Sequence, residues 1–350
     1  MNLFSKKIIS WFHTNKRDLP WRNTKDAYLI WLSEIILQQT RVDQGMSYYL
    51  KFAKTFPTVK HLAKADNDEV MKLWQGLGYY SRARNLHTTS KIISQKYKGK
   101  FPSEYSEILA LKGVGEYTAA AIASFAFDKP HAVVDGNVFR LLSRVFGIET
   151  PIDSSQGKKE FTSLANELLD KKNAAAHNQA IMEFGAMQCK PVSPYCGVCP
   201  LNTMCVAYEK KLVSVLPVKE KKTKVRNRYF NYVVLNYKGT TAINKRTGKD
   251  IWTNLYDFPL IETKKEFSEE EFLGSKEWKS FIEKNKYSIK SVSKVYKHIL
   301  SHQKIYARFW EIVCTIPLEK IIGDTAIVIK QKDIHQYAVP RLIENYLEGK

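Results

Sequence analysis

The sequence predicts two domains of different class, an all-helical one over residues 1–208 and an α+β one over 229–350, joined by a basic linker over 209–228. Three observations carry that reading. Apolar residues recur at helical spacing through the first half, and nothing there reads as a strand. The stretch EKKLVSVLPVKEKKTKVRNR that follows is lysine-rich, contains Pro217 and has no helical face. Beyond it the period changes to alternation in YFNYVVLNY at 229–237, KIYARFWEIVC at 304–314 and TAIVIK at 325–330, before a short closing helix at 339–347. A chain of 350 residues is long enough for each half to bury its own core.

Charge narrows the partners. The 55 Lys and Arg against 35 Asp and Glu leave a net charge of +20, which favours a polyanion through counterion release, nucleic acid first among them. At the N-terminus Ile8, Ile9, Trp11 and Phe12 are too few for a signal-peptide core, and no apolar run approaches the roughly 18 residues needed to span a bilayer. A cytoplasmic monomer with no membrane partner is the expectation.

The first strongly periodic segment is DAYLIWLSEIILQQT at 26–40, almost uncharged, with Ala27, Ile30, Trp31, Leu37 and Gln38 on one face and Glu34 in the middle of it. An acid on an apolar stripe is either desolvated, which raises its pKa and makes it a usable general acid, or paired with an arginine such as Arg17, Arg22 or Arg41. Helices follow at about 42–56 and 67–74. Next comes QGLGYYSRARNLH, whose adjacent tyrosines between glycines suit either a loop that wedges against bases, backed by arginines on phosphates, or ordinary core tyrosines at a helix entry.

The chain is organised around 111–138. Leu111, Gly113, Val114 and Gly115 form a tight turn, and the Ala-rich run Thr118–Ala126 after it has the composition of a helix. The bare N-terminus of that helix suits a phosphate oxygen, which makes Gly113 and Gly115 candidate DNA phosphate contacts; a plain helix-loop-helix turn has the same sequence signature. About twenty residues on, Asp135 stands beside Gly136 and Asn137, a second carboxylate to set against Glu34. Helical patterns resume at 139–146, 161–169 and 174–185.

Cys189, Cys196, Cys199 and Cys205 then crowd into one loop, with six, two and five residues between them and prolines at 191, 194 and 200. Zinc prefers two C-x-x-C knuckles and this loop has one, so four thiolates around an iron-sulfur cube fit the spacing better. Cys314, alone in an alternating stretch, reads as core.

Taken together, LPWR at 19–22, WLSEIILQQTRV at 31–42, GLGYYSRARNLH at 76–87, LKGVGEYTAAAI at 111–122, VDGNVFR at 134–140, EFGAMQC at 183–189 and the cysteine loop resemble the helix-hairpin-helix DNA glycosylases. The likeness covers nearly the whole chain. WLSE with Glu34 points to the adenine branch of that family, as does Tyr117, where the endonuclease III branch carries a lysine nucleophile. The resemblance implies a [4Fe-4S] cluster on the four cysteines of 189–205, double-stranded DNA containing A:8-oxoguanine or A:G mispairs as partner, and hydrolysis of the adenine N-glycosidic bond in base excision repair. It also implies a Nudix-like recognition domain in the second half. The hydrolytic Nudix box is absent after DFPLIE at 257–262, and Glu269, Glu270 and Glu271 read as a solvated helix face, so pyrophosphatase activity is not expected.

By the logic of glycoside hydrolysis, Glu34 would protonate the leaving adenine at N7 and Asp135 would stabilise the deoxyribosyl cation of a base flipped out of the duplex. By resemblance, Arg22 and Glu183 would contact adenine, Asn137 and Tyr117 would support Asp135, and Gln39 and Tyr79 would fill the gap left in the DNA. Ser301 and His302, in a short polar turn between two strand-like segments, would read 8-oxoguanine. Two rivals stand beside this reading, an endonuclease III-like lyase and a non-enzymatic iron-sulfur DNA-binding protein.

Overall fold

The computed structural model of the chain describes residues 2–220, 225–282, 287–322 and 326–349; residues 221–224 of the expected linker and Thr325 of the TAIVIK segment lie outside the described residues. The chain divides into two compact units, Met1–Lys64 with Asn85–Lys221, and Ala65–Arg84 with Lys222–Lys350. Residues 65–84 therefore group with the C-terminal half, although they lie within the helical part of the sequence. None of the described helices is long and apolar enough to cross a membrane.

The first unit contains α1 Leu3–Asn15, α2 Ala27–Leu37, α3 Val42–Thr55 and α4 Val59–Lys64. In chain order, α5 Asn67–Trp74 belongs to the second unit, and α6 Ser81–Lys96 starts there and runs on into the first. The first unit continues with α7 Tyr105–Leu109, α8 Glu116–Phe127, α9 Gly136–Phe146, α10 Ser155–Leu168, α11 Ala174–Met187 and α12 Val206–Glu209. No strand occurs among its described residues, as the helical periodicity predicts. Asp26 opens α2 by accepting the Tyr28 N–H at 2.8 Å. Where the sequence suggests one apolar face, α2 is buried on all sides, because it packs between α3 and α8. The small side chains Ala119, Ala120, Ala121 and Ala123 of α8 are buried, and that is what lets α2 come close. A second core joins Phe4, Ile8 and Phe12 of α1 to Leu141 of α9, Phe161 of α10 and Phe184 of α11.

Part of the stretch expected to be linker is tied to this unit. Arg144 Nε donates to the Leu216 carbonyl at 3.0 Å and the Ile152 N–H to the Val218 carbonyl at 3.1 Å, while Leu216 is buried.

The second unit adds β1 Arg226–Asn236, β2 Thr240–Lys245, β3 Tyr256–Asp257, β4 Leu260–Thr263, β5 Tyr287–Val292, β6 Tyr296–Ile299, β7 Gln303–Cys314 and β8 Ala326–Lys330. Its helices beyond α5 are α13 Glu269–Gly274, α14 Lys276–Phe281 and α15 Arg341–Glu348. One sheet runs β4-β1-β7-β5 with β6 also on β7, and the other runs β3-β2-β8. β1 and β7 pair in parallel from Arg226 opposite Gln303 to Asn236 opposite Val313. Flanked by β4 and β7, β1 is buried without interruption from Phe230 to Leu235, so its inner stretch does not show the alternating exposure its sequence suggests. Glu269, Glu270 and Glu271 form the first turn of α13; Ser268 and Glu271 cap it reciprocally, which suits acids at a helix N-terminus.

Candidate active site

Within the first unit a cleft of about 750 Å³ is lined by residues that the sequence singles out: Arg22, Glu34, Gln39, Tyr117, Asp135, Asn137 and Glu183. They arrive from five places in the chain, on or next to α2, α8, α9, α11 and the Pro20–Arg22 turn. Four of those elements are fixed by local sequence: the Asp26 cap, Pro20, the Gly115 cap of α8 and the Asp135 cap of α9.

Glu34 is buried on α2, with its carboxyl in reach of the Tyr117 hydroxyl. Burial pushes its pKa up to about 7; the Tyr117 hydrogen bond pulls it back, Asp135 pushes it further and Arg22 lowers it. Of the arginines offered as partners of Glu34, Arg17 and Arg22 both grip Glu183 instead, and Arg22 acts on Glu34 only at a distance. Tyr117 is itself driven well above its ordinary value by burial and by the two acids, so it stays a neutral phenol.

Asp135 sits at the N-cap of α9, where its Oδ1 accepts the N–H groups of Asn137 and Val138 at 2.9 and 2.8 Å and its Oδ2 accepts Asn137 Nδ2 at 2.7 Å. Burial raises its pKa while these three donors favour the charged form. Asn137 is held in turn by Arg140, whose Nη2 donates to Asn137 Oδ1 at 2.9 Å and to the Gly185 carbonyl at 2.6 Å, and whose Nε donates to the Cys189 carbonyl at 2.8 Å. Gly185 has no room for a side chain: a Cβ there would lie 2.7 Å from the Asn137 carbonyl oxygen. The sequence offers VDGNVFR as a motif without showing that its last arginine ties the Asp135 turn to the start of the cysteine loop.

Glu183 presents the opposite electrostatics. Its Oε1 accepts Arg17 Nε at 2.8 Å and the Arg17 N–H at 3.0 Å; its Oε2 accepts Arg17 Nη2 at 2.6 Å and Arg22 Nη2 at 2.8 Å. Burial alone would raise this carboxyl, but the two guanidinium groups outweigh it and hold the pKa down at about 2. The sequence offers Arg17 only as a possible partner of Glu34; its pairing with Glu183, 166 residues away, is what sequence reasoning misses here.

Gly113 lies outside the cleft at φ 79°, a left-handed conformation, and is packed against Asn85, while Gly115 caps α8. Tyr79, Ser301 and His302 belong to the second unit. Tyr79 is exposed at φ 46° in the turn before α6, with the Arg82 guanidinium 5.6 Å from its ring centroid. Ser301 and His302 are both exposed at the tip of the β6–β7 hairpin, the Ser301 Oγ 3.1 Å from His302 Nδ1.

The four cysteines are free thiols that line one small cavity, together with Leu141, Arg144 and Phe184. No three His, Cys, Asp or Glu side chains among the described residues converge on a single ion. Four thiols lining one cavity are the donor set that an iron-sulfur cube takes. Burial raises Cys196 and Cys205 and pushes Cys199 up to about 11, so a cationic centre is needed to hold these groups as thiolates.

Residues 32–167 match the model of the HhH-GPD superfamily of base excision DNA repair proteins, and 231–349 match the NUDIX domain. A relative from Buchnera aphidicola subsp. Schizaphis graminum, named adenine DNA glycosylase, is 34% identical over 354 residues, covering 99% of this chain and 98% of its own. The Homo sapiens protein of the same name is 40% identical over 216 residues, 59% of this chain and 40% of that protein. Among solved structures, a thermostable thymine-DNA glycosylase superposes at TM-score 0.56 and 32% identity over 59% of this chain and 96% of its own. An endonuclease III–DNA complex, at TM-score 0.52 and 22% identity over 60% of this chain and 95% of that one, shares the fold.

Proposed function

Because the chain belongs to the adenine DNA glycosylases, enzymes of base excision repair, we propose that it hydrolyses the N-glycosidic bond of adenine mispaired with 8-oxoguanine or guanine in double-stranded DNA. The observation that carries the chemistry is a buried carboxyl with pKa about 7, Glu34, sharing a cleft with Asp135. Near neutral pH Glu34 still holds a proton to give to adenine N7 as the bond to the sugar breaks. Asp135, whose charged form three N–H donors favour, faces the oxocarbenium-like deoxyribose, and water completes the hydrolysis. The cleft is large enough for a base, and the base must leave the stack to reach it. Arg22 and Glu183 contact the flipped adenine, and Gln39 and Tyr79 fill the space it leaves. With a neutral tyrosine at 117 the enzyme releases the base without lysine-dependent strand cleavage.

Ser301 and His302 read the partner base from the hairpin tip, 8-oxoguanine differing from guanine by its C8 carbonyl and N7–H. Gly113 and Gly115 offer backbone N–H groups to phosphate at the start of α8. Cys189, Cys196, Cys199 and Cys205 hold a [4Fe-4S] cluster, which when bound staples the 189–205 loop; Cys199→Ala should lose the brown absorbance and weaken DNA binding. One base-release assay tests the whole reading, with duplexes carrying A opposite 8-oxoguanine, guanine or cytosine, and thymine glycol. Release of adenine from the first two is expected, and release of thymine glycol with strand cleavage instead would overturn it.

A further inference from the structure

The second unit contains a loop, residues 246–254 between β2 and β3, that the proposed chemistry does not use and that is built at some cost. Trp252 adopts a left-handed backbone conformation, φ 61°, which a bulky L-residue holds only when its surroundings impose it, and Asn254, a residue that tolerates this region, follows at φ 68°. The loop is folded around Arg246, whose Nη1 donates to Asp257 at 2.6 Å, Nε to the Ile251 carbonyl at 3.2 Å and Nη2 to Asp250 at 3.2 Å.

It is linked to both strands of the β6–β7 hairpin, directly to β6 and through Arg228 of β1 to β7. Asp250 takes a two-pronged pair of bonds from Arg228, at 2.9 and 2.8 Å, and Arg228 Nη1 also donates to Gln303, the residue that follows His302, at 3.2 Å. Trp252 is buried with its ring edge-on to His298 of β6, centroids 5.7 Å apart. Both strands below Ser301 and His302 are thus fastened to one loop.

The same loop and its flanks hold the segment that carries Tyr79. Lys245, just before the loop, makes a salt bridge with Asp68 of α5, and Tyr256, just after it, donates its hydroxyl to the same carboxylate at 2.8 Å. Arg84 donates to the Thr253 carbonyl at 2.8 Å. Asp68 and Arg84 bracket the 75–80 turn from either side.

We propose that loop 246–254 with its flanking residues is a bracket that holds Tyr79 and the Ser301–His302 tip in one fixed arrangement, so that Tyr79, in the space adenine leaves, and the hairpin tip meet the base opposite as a single reading element. Asp68, Lys245 and Arg228 are its positioning residues. The inference rests on the proposed role of Ser301 and His302.

The surface pair Asp68–Lys245 tests it, because a half-exposed ion pair contributes little to stability and its variants should fold. In the full-length protein at one fixed salt concentration, Asp68→Lys and Lys245→Asp are each expected to lower the preference for A:8-oxoguanine over A:G by about 3- to 10-fold, with release from A:G and the melting temperature unchanged. The charge-swapped double variant should restore the preference. If the two single variants move DNA affinity in opposite directions, or the double variant fails to recover, the residues act by their own charge on phosphate and the bracket is wrong. Unchanged preference in both singles also overturns it. A Ser301→Ala/His302→Ala control separates the two levels. Loss of preference there with none in the bracket variants refutes only the bracket, whereas no loss there refutes the hairpin reading and the bracket with it.

Discussion

Glu34 and Glu183 are the same residue type, both buried and both lining one cleft, yet Glu34 keeps its proton to about pH 7 while Glu183 gives it up at about 2. Burial penalises the charge of each. What differs is the company: two guanidinium groups and a backbone N–H on Glu183, against a phenol and a second acid around Glu34. Two of the arginines that the sequence offers to Glu34 go to Glu183, and Glu34 is left with a proton near neutral pH. One cleft can therefore hold a permanent anion for binding and a titratable acid for chemistry.

The sharpest way to break this contrast is Glu34→Gln, which keeps shape and removes the proton. Single-turnover release of adenine should fall by about 100- to 10,000-fold with DNA binding retained; a rate near that of the parent protein would remove Glu34 from its role. The same variant should show the energetic side. A carboxyl whose folded pKa is raised from 4.5 to about 7 contributes its stabilisation fully below pH 4.5 and loses it as pH rises towards 7. Glu34→Gln should therefore match the parent at low pH and exceed it by about 3 kcal/mol above pH 7, read from denaturant melts at several pH values. Glu183 has the reverse sign: its contribution is present above pH 4.5 and is lost as pH falls towards 2, so Glu183→Gln should flatten the acid limb of the same curve.

A smaller effect is expected from Arg17→Ala. Arg22 remains on Glu183, and Arg17 is one-third exposed, so a loss of about 2 kcal/mol in denaturant stability is expected rather than the full cost of an orphaned buried charge. Smallest is Tyr117→Phe. Removing the hydroxyl that pulls the Glu34 pKa down should move the alkaline limb of the pH–rate profile upward, and a downward move would mean that the phenol does not stabilise the charged carboxylate.

Much of the site was legible because its residues announce themselves locally. A lone acid in an uncharged helix, a glycine turn before an alanine run and an Asp before Gly-Asn can each be read within one window, and the structure brings Glu34, Tyr117 and Asp135 into one cleft. Four cysteines in one loop are equally local, and they line one cavity. The pairing of Arg17 was not legible, since its partner is 166 residues away and nothing nearby distinguishes it from other arginines. The all-round burial of α2 depends on what packs against it, which a one-face pattern does not report. The same limit hid the parallel β1–β7 pair and the grouping of residues 65–84 with the C-terminal half, both of which join segments far apart in sequence.

That last grouping has a kinetic side. Gln75 hydrogen-bonds to Glu344, 269 residues further along the chain. At about 5–20 residues per second, roughly 15 to 50 seconds of synthesis separate the two, and β1 waits in the same way for β7. Residues 65–84 leave the ribosome among the first and find their place among the last. Throughout that interval the hydrogen bond between Gln75 and Glu344 cannot form, and the segment must wait for its partner.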